Sequence, residues 1–142
     1  MCAQPITIRP LGPEDVDILD RVRPGGFEVP IDPSRAWAML NTRVNELVVA
    51  ITEGQVVGYA CGTVLMQPAQ PTAFVVTMVE VHPDLQRQGI AKRLMSRLMD
   101  AAWDRGAEKI WLRTARDKPA GRALYASLDG VETDRHVFFT WE

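Results

Sequence analysis

The sequence lacks the features of a disulfide-bonded, metal-binding or membrane-spanning protein. Its two cysteines, Cys2 and Cys61, lie far apart, and neither belongs to a CxxC or Cys/His cluster. Isolated thiols form neither a disulfide framework nor a set of metal ligands, so we predict no metal and an inert core thiol at Cys61. No signal peptide and no apolar run long enough to cross a bilayer is present. The sequence therefore predicts a cytoplasmic protein without a membrane partner.

A strong charge of one sign is also missing. Lysine and arginine number 16 against 18 aspartate and glutamate, which gives a formal net charge of −2. Without a global basic field, nothing indicates a nucleic-acid partner. The length of 142 residues and the content of 46% hydrophobic and 24% charged residues are typical of one globular domain. We predict a single domain over residues 1–142.

Strand-like alternation and helical periodicity recur along the whole chain. They predict the order β-α-α-β-β-β-α-β-α-β, an α/β domain with one mixed sheet. Strands are predicted at residues 5–10, 46–52, 55–65, 73–81, 109–114 and 131–141, the last as one strand or a tight hairpin. Helices are predicted after Gly12, after Asp32, over 90–105 and over 117–128. Gly58 and Gly62 in the third strand indicate a bulge or close backbone packing.

The segment from Thr72 to Arg105 organises the rest of the chain. Residues 73–81 are almost all apolar or β-branched, with Glu80 as the one charge, which indicates a central strand buried on both faces. Pro83 and its neighbours end that strand. From Ile90 onward, apolar residues recur every four positions with charged residues between them, which predicts a long helix lying on the sheet.

The junction between this strand and this helix has the chemistry of a phosphate site. The first turn of a helix presents backbone N–H groups without partners at the positive end of its dipole. Gly89 allows a ligand close to the backbone, and Arg87, Lys92 and Arg93 add positive charge. The alternative is an ordinary strand–turn–helix joint in which Gly89 only permits the turn.

The spacing Gln86-x-x-Gly89-x-Ala91 after Val81-His82-Pro83 resembles the signature of the GNAT superfamily of N-acetyltransferases. The predicted element order resembles that fold over essentially the whole chain, which implies a mainly antiparallel central sheet flanked by helices. The resemblance implies that acetyl-CoA is the co-substrate and that the backbones of Val79 and Val81 accompany its pantetheine arm. It also implies a pyrophosphate site made by Gln86, Arg87, Gln88, Gly89, Ile90, Ala91 and Lys92.

Two residues are candidates for the chemistry. Ala123-Leu124-Tyr125 resembles the last helix of the family, where a tyrosine protonates the departing thiolate, so Tyr125 is the general-acid candidate. Its alternative role is an amphipathic residue at the margin of a helix. Glu80 is the candidate for the base or for the group that orients the amine. Its alternative is an exposed carboxylate paired with Arg87 or Arg113.

The sequence departs from the family pattern before and after its last helix. Lys118 stands where an asparagine often contacts pantetheine, and Leu128-Asp129-Gly130 replaces Leu-Gly-Phe. Arg113 occupies a position where some protein-acetylating members carry a glutamate. This difference argues against a protein N-terminus as the substrate, and an arginine here could equally anchor an acidic substrate.

These observations predict an N-acetyltransferase acting on a small-molecule or peptide amine by direct attack in a ternary complex. The alternative is a non-catalytic acyl-CoA-binding or protein-interaction domain of the same fold. The aromatic C-terminal strand makes a homodimer possible through strand pairing. Among the remaining residues, His82 is predicted to be exposed in its turn, and Trp37 to pack in the core.

Overall fold

A computed structural model describes residues 5–142, so Cys2 lies outside the described part of the chain. The strands are β1 (Thr7–Pro10), β2 (Asn45–Thr52), β3 (Gln55–Leu65), β4 (Ala73–Val81) and β5 (Lys109–Leu112). The α-helices are α1 (Pro33–Leu40), α2 (Ile90–Asp104) and α3 (Pro119–Ser127). Two 3-10 helices span Pro13–Arg21 and Pro83–Leu85. Within residues 5–142, no helix is both long enough and apolar enough to span a bilayer.

The strands form one five-stranded sheet in the order β1-β2-β3-β4-β5. The first three pairs are antiparallel, and β4 pairs with β5 in parallel, so the predicted mixed, mainly antiparallel sheet is confirmed. Parallel pairing runs only from Ala73↔Lys109 to Val76↔Leu112. Since β4 continues to Val81, its second half extends beyond β5 and the two strands separate.

Two apolar clusters cover the two faces of the sheet. On one face α2 buries Ile90, Leu94, Met95, Leu98 and Ala102, the periodic positions that predicted this helix. On the other face, the 3-10 helix Pro13–Arg21 and α1 pack over Leu47, Val49, Val56 and Tyr59. Each fully buried leucine or phenylalanine in such a cluster stabilises the fold by about 1.5–3 kcal/mol relative to exposure.

A β-bulge interrupts the pairing of β3 with β4. Cys61 pairs with Met78 and Gly62 with Val76, which leaves Thr77 as an extra residue on β4. A side chain at Gly62 has no room, because its Cβ would lie 2.4 Å from the ring of Phe74. The predicted bulge or close packing in β3 is therefore confirmed.

The bulge also reverses the alternation of side chains along β4. Phe74 and Val76 face α2 before it, whereas Val79 and Val81 face α2 after it. Without an extra residue, positions 78 and 80 would face α2, because side chains alternate with a period of two. The bulge thus directs Glu80 to the opposite face.

The predicted C-terminal strand does not form. Residues 131–141 have no regular secondary structure, and the side chains of Val131, Val137, Phe138, Phe139 and Trp141 are exposed. Strand propensity reflects packing against neighbours, and this segment is instead tied down by side chains, such as Glu132 to Arg122 at 2.6 Å. The homodimer inferred from this strand stays a prediction.

Three local predictions in the first half of the chain also need correction. The first helix is a 3-10 helix in which only Leu19 is buried, since its apolar positions are too few to form a stripe. Trp37 is 56% exposed, because α1 directs the small Ala36 toward the sheet. His82 is only 4% exposed, because the chain around Gly26 packs over it.

Candidate active site

The separation of β4 from β5 opens a cleft of about 790 Å³. Its floor includes Thr77 and Val79 of β4, and the residues after β5, beginning with Arg113, form one wall. Lys118, the first residues of α3 and Tyr125 near the end of that helix complete the lining. The cleft therefore lies where the sheet loses pairing, so backbone groups of β4 are available to a ligand.

The backbone of Val79 and Val81 faces this opening. The His82 N–H donates to the Val57 carbonyl on β3 at 2.8 Å. In an antiparallel pair, successive residues point their N–H and C=O groups alternately toward and away from the partner strand. Val79 and Val81 therefore direct theirs away from β3, and the Gln86 side-chain amide donates to the Val81 carbonyl at 3.2 Å.

The loop after β4 presents a continuous set of free donors. Within residues 5–142, none of the backbone N–H groups from Arg87 to Lys92 donates to a protein acceptor. Arg87 and Gly89 have φ of 66° and 76°, so the chain turns sharply into α2. A Cβ at Gly89 would meet no atom within 4 Å, which leaves space against this backbone. Clustered N–H groups at a helix N-terminus form an anion site.

The Gln86 side chain makes a further contact in this loop. The resemblance implies that Gln86 belongs to the pyrophosphate site, and in the structure its side-chain amide donates to the Val81 carbonyl. It therefore braces the loop against β4, while the N–H groups that follow it remain available. The roles of these residues toward a ligand stay predictions.

Tyr125 lies on α3 and lines the cleft. Its side chain is half-buried, and burial raises the pKa of its phenol above the ordinary value. The phenol is therefore protonated at neutral pH and available as a proton donor. Tyr125 and the free edge of β4 line the same cleft, as the predicted acid role requires.

Glu80 does not lie free at the strand end. Its two carboxylate oxygens accept the N–H groups of Glu28 and Val29, each at 3.0 Å. Tyr59 donates its hydroxyl to the Val29 carbonyl at 2.8 Å, so both ends of one residue are fixed. Burial, followed by the nearby Glu80 charge, raises the pKa of the Tyr59 phenol. The alternative role of Glu80, an ion pair with Arg87 or Arg113, is absent from the described residues.

Lys118 occupies the N-cap position of α3 and lines the cleft. Its ammonium lies 3.9 Å from the carboxylate of Glu28, which reaches the cleft from the loop anchored by Glu80. Both side chains are mostly exposed, so the pair contributes little stability. Lys118 therefore lines the cleft at the position where the family often has a pantetheine-binding asparagine, and its contact with Glu28 is not one that an asparagine would make.

His82 is a structural residue of the same loop. Its Nδ1 accepts the N–H of Asp84 at 3.2 Å, so its Nε2 carries the hydrogen and donates to the Pro24 carbonyl at 3.2 Å. The ring packs edge-on against Phe27. His82 and Glu80 together hold the segment from residue 24 to residue 29 on the sheet.

Sequence reasoning overlooked Thr77, Glu28 and Phe138 as cleft residues. Thr77 is exposed by a bulge, which strand patterns do not locate, and Glu28 reaches the cleft only because Glu80 holds its loop. Phe138 was placed in a strand that does not form. Within residues 5–142, no group of three or more histidine, cysteine, aspartate or glutamate side chains is arranged to hold a metal ion.

The model of the Acetyltransferase (GNAT) family matches residues 16–130, which is most of the chain. The chain belongs to the GNAT family. The predicted family resemblance is therefore confirmed, and the strand separation, the loop from Gln86 to Lys92 and α3 all fall within the matched region.

The chain is also similar to individual N-acetyltransferases. The chain is 35% identical over 74 residues to the ribosomal protein bS18-alanine N-acetyltransferase of Escherichia coli K12, over 45% of this chain and 50% of that enzyme. It thus spans about half the length of the curated relative it matches. A ribosomal-protein-alanine N-acetyltransferase from Brucella melitensis biovar Abortus 2308 superimposes with a TM-score of 0.72 at 25% identity, covering 97% of this chain and 100% of that one.

A solved structure of lower sequence identity shows the same fold. The aminoglycoside N-acetyltransferase AAC(6')-Iy, in complex with CoA, superimposes with a TM-score of 0.76 at 15% identity. The superposition covers 99% of this chain and 97% of that one. At this identity the likeness establishes the architecture and leaves the substrate of the present chain open.

Proposed function

We propose that this chain transfers the acetyl group of acetyl-CoA to a primary amine by direct attack in a ternary complex. The observation that carries the proposal is that two features lie next to each other, one on β4 and one in the loop that follows it. Its second half has a free backbone edge in an open cleft, and the loop after it presents unpartnered N–H groups from Arg87 to Lys92. Together they suit an extended ligand with a phosphate at one end.

The site fits acetyl-CoA in chemistry and in layout. The N–H groups from Arg87 to Lys92 would hold the pyrophosphate, and Gly89 leaves room for its approach. The edge of β4 at Val79 and Val81 would hydrogen-bond the pantetheine amides, with Lys118 at the side of the cleft. Acetyl-CoA supplies an acyl group activated as a thioester.

The chain's own residues supply proton transfer and polarisation. The attacking amine must be neutral, whereas a free alkylammonium has a pKa of about 10.4. Glu80 assists either as the base or by orienting the amine, and its hydrogen bonds to Glu28 and Val29 favour orientation through the loop. A backbone N–H of β4 near Val81 polarises the carbonyl. As the C–S bond breaks, Tyr125 gives its proton to the sulfur and regains one from solvent.

A second candidate is a non-catalytic acyl-CoA-binding domain of the same fold. The observation in its favour is the engagement of both Glu80 oxygens by backbone N–H groups, which leaves no obvious free base on β4. Both candidates require acetyl-CoA binding. Only the enzyme requires thiol release that depends on an amine.

Thermal unfolding with and without acetyl-CoA tests the shared requirement. At 100 times its dissociation constant, the ligand should stabilise the wild-type protein by about 2.7 kcal/mol. For a domain of this size each kcal/mol raises Tm by about 2–4 °C. Gly89→Glu should abolish the shift, because it places a carboxylate at the anion site.

Gly54→Glu is the matched control for this variant. Gly54 has φ of 75° against 76° for Gly89, and neither Cβ would meet an atom within 4 Å. Both substitutions therefore introduce the same charge at a residue with positive φ and without a steric clash. Gly54→Glu should keep the full shift with acetyl-CoA. Equal shifts in both variants, or no shift in the wild type, would contradict the proposed site.

Thiol release in the presence of amines separates the enzyme from the binding domain. Tyr125→Phe should lower kcat by about 10²-fold or more, the range for loss of a general acid. The variant should keep its stabilisation by acetyl-CoA, because the phenol is expected to act on the departing sulfur. Unchanged turnover in Tyr125→Phe would remove this residue from the mechanism.

A further inference from the structure

Arg113 is a cleft residue whose charge is not neutralised. It follows β5 directly and lines the cleft beside Thr77. Within residues 5–142, no carboxylate lies within 4.0 Å of its guanidinium nitrogens. Its Cζ lies 4.3 Å from the centroid of the Phe138 ring, so the aromatic face supports the cation.

The other charged groups around the cleft are already paired. Lys118 lies 3.9 Å from Glu28, and these two side chains are the remaining charged residues of the cleft wall. The carboxylate of Glu80 is occupied by backbone N–H groups. The cleft wall therefore carries one excess positive charge, and it is located at Arg113.

Arg113 lies at the closed end of the cleft, away from the anion site of the loop. Strand pairing stops at Val76↔Leu112, so Arg113 is level with Thr77. From Thr77 to Val81 is four residues, or about 13 Å at about 3.3 Å per residue. The N–H groups of Arg87 to Lys92 lie beyond that point, so the two anion-binding features are separate.

We propose that the acceptor amine carries a carboxylate, which Arg113 binds at the closed end of the cleft. This inference rests on the proposed function and names the substrate class of the same site. A guanidinium presents a planar fork that matches a carboxylate with two parallel hydrogen bonds. The Arg113 Cζ lies over the face of the Phe138 ring, which stabilises the cation. The acceptor is then an amino acid, or a compound similar to one.

The test uses the twenty protein amino acids, each as the free acid and as its carboxamide, in an assay of thiol release from acetyl-CoA. The wild-type enzyme should acetylate at least one free amino acid, and its kcat/KM for that substrate should be well above the value that Arg113→Gln shows for the same substrate. Loss of a charge-assisted pair should lower this value about 10- to 100-fold for the acid and leave the amide unchanged. Acid and amide differ in amine pKa, but this difference cancels because each substrate is compared between two enzymes.

Two further variants sharpen the experiment. Arg113→Lys keeps the charge without the fork and should restore only part of the preference for the acid. Arg116→Gln is the matched control, since this neighbouring arginine does not line the cleft. It should leave both acid and amide kinetics unchanged. The KM for acetyl-CoA is measured for every variant.

Each alternative outcome overturns the inference in a distinct way. Equal losses for acid and amide would show that Arg113 does not read the carboxylate. A raised KM for acetyl-CoA with an unchanged acid-to-amide ratio would assign Arg113 to the phosphates of the co-substrate. Transfer to amides alone, or to no amino acid, by a protein that acetyl-CoA still stabilises would refute the acceptor class and leave the co-substrate site standing. Absence of that stabilisation would refute the proposed function itself.

Discussion

Replacing Glu80 with glutamine tests how firmly its carboxylate holds the loop before α1. Each oxygen accepts one N–H, from Glu28 and from Val29, at 3.0 Å. Glutamine keeps the shape but turns one oxygen into an NH₂ group, which cannot accept. One hydrogen bond is lost, and the other is no longer charge-assisted.

The size of the effect follows from these two bonds. A hydrogen bond to a charged group contributes about 1.5–3 kcal/mol and a neutral one about 0.5–1.5 kcal/mol. Val29 is 46% exposed, so water partly replaces the lost partner. We therefore expect Glu80→Gln to lower the free energy of unfolding by about 1–2 kcal/mol. This corresponds to a decrease in Tm of about 2–8 °C.

A double-mutant cycle with Tyr59→Phe makes the test specific. Tyr59 holds the Val29 carbonyl, and Glu80 holds the N–H of the same residue. Once one anchor is removed, the loop is partly released and the second anchor contributes less. The two effects should therefore deviate from additivity by about 0.5 kcal/mol or more. Urea unfolding of the four proteins at pH 7 measures this coupling.

Glu46→Gln provides the control for this cycle. Glu46 lies on β2 and pairs with Arg105 at 2.8 Å, and it takes no part in the hydrogen bonds of Glu80 and Tyr59 that anchor the loop. Its substitution should be additive with Tyr59→Phe. An unchanged stability of Glu80→Gln together with a lower kcat would contradict the anchoring role. The Glu80 carboxylate would then act as a base.

Two further expectations concern packing and reactivity. Gly62→Ala should destabilise the fold by about 1–3 kcal/mol in urea unfolding, because its Cβ would lie 2.4 Å from the Phe74 ring. Gly121→Ala, whose Cβ meets nothing closer than 3.6 Å, should cost no stability; equal effects would contradict the packing argument. Burial raises the pKa of the Cys61 thiol, so less thiolate is present at pH 8 than in a free thiol. In a Cys2→Ser protein, iodoacetamide should react more slowly with Cys61 than it reacts with free N-acetylcysteine. The difference between the two rates should shrink as the pH rises, and equal rates at pH 8 would refute the raised pKa of Cys61.

The centre of the fold was predictable because its signals are local. The apolar run of β4 and the four-residue spacing in α2 are each visible within about fifteen residues of sequence. Burial on both faces, which that run predicts, holds for the first half of β4 only, because β5 ends at Leu112 and Thr77 is exposed. The turn between them carries Gly89 at the position where the backbone requires a positive φ. The free N–H groups of Ile90, Ala91 and Lys92 follow from any helix start.

The features that sequence could not predict depend on distant partners. Glu80 meets Glu28 across 52 positions, and His82 meets Pro24 across 58, so neither burial nor hydrogen bonding was legible in the strand pattern. The C-terminal segment has the aromatic composition of a strand, yet a strand also needs a paired edge. Side-chain contacts such as that of Phe138 with Arg113 hold it in another path.

The extra residue of the bulge, Thr77, determines which face of the sheet each later side chain of β4 points to. Deleting Thr77 would restore regular alternation, and Glu80 would then point into the cluster around Leu94, where a carboxylate has no partner. Val79 would exchange its place under α2 for the opposite surface. A single-codon deletion would thus exchange the inward and outward residues over the rest of the strand, although every neighbouring amino acid stayed the same. A sequence alignment that places the gap elsewhere in β4 would therefore pair residues that face α2 with residues that face the opposite side of the sheet.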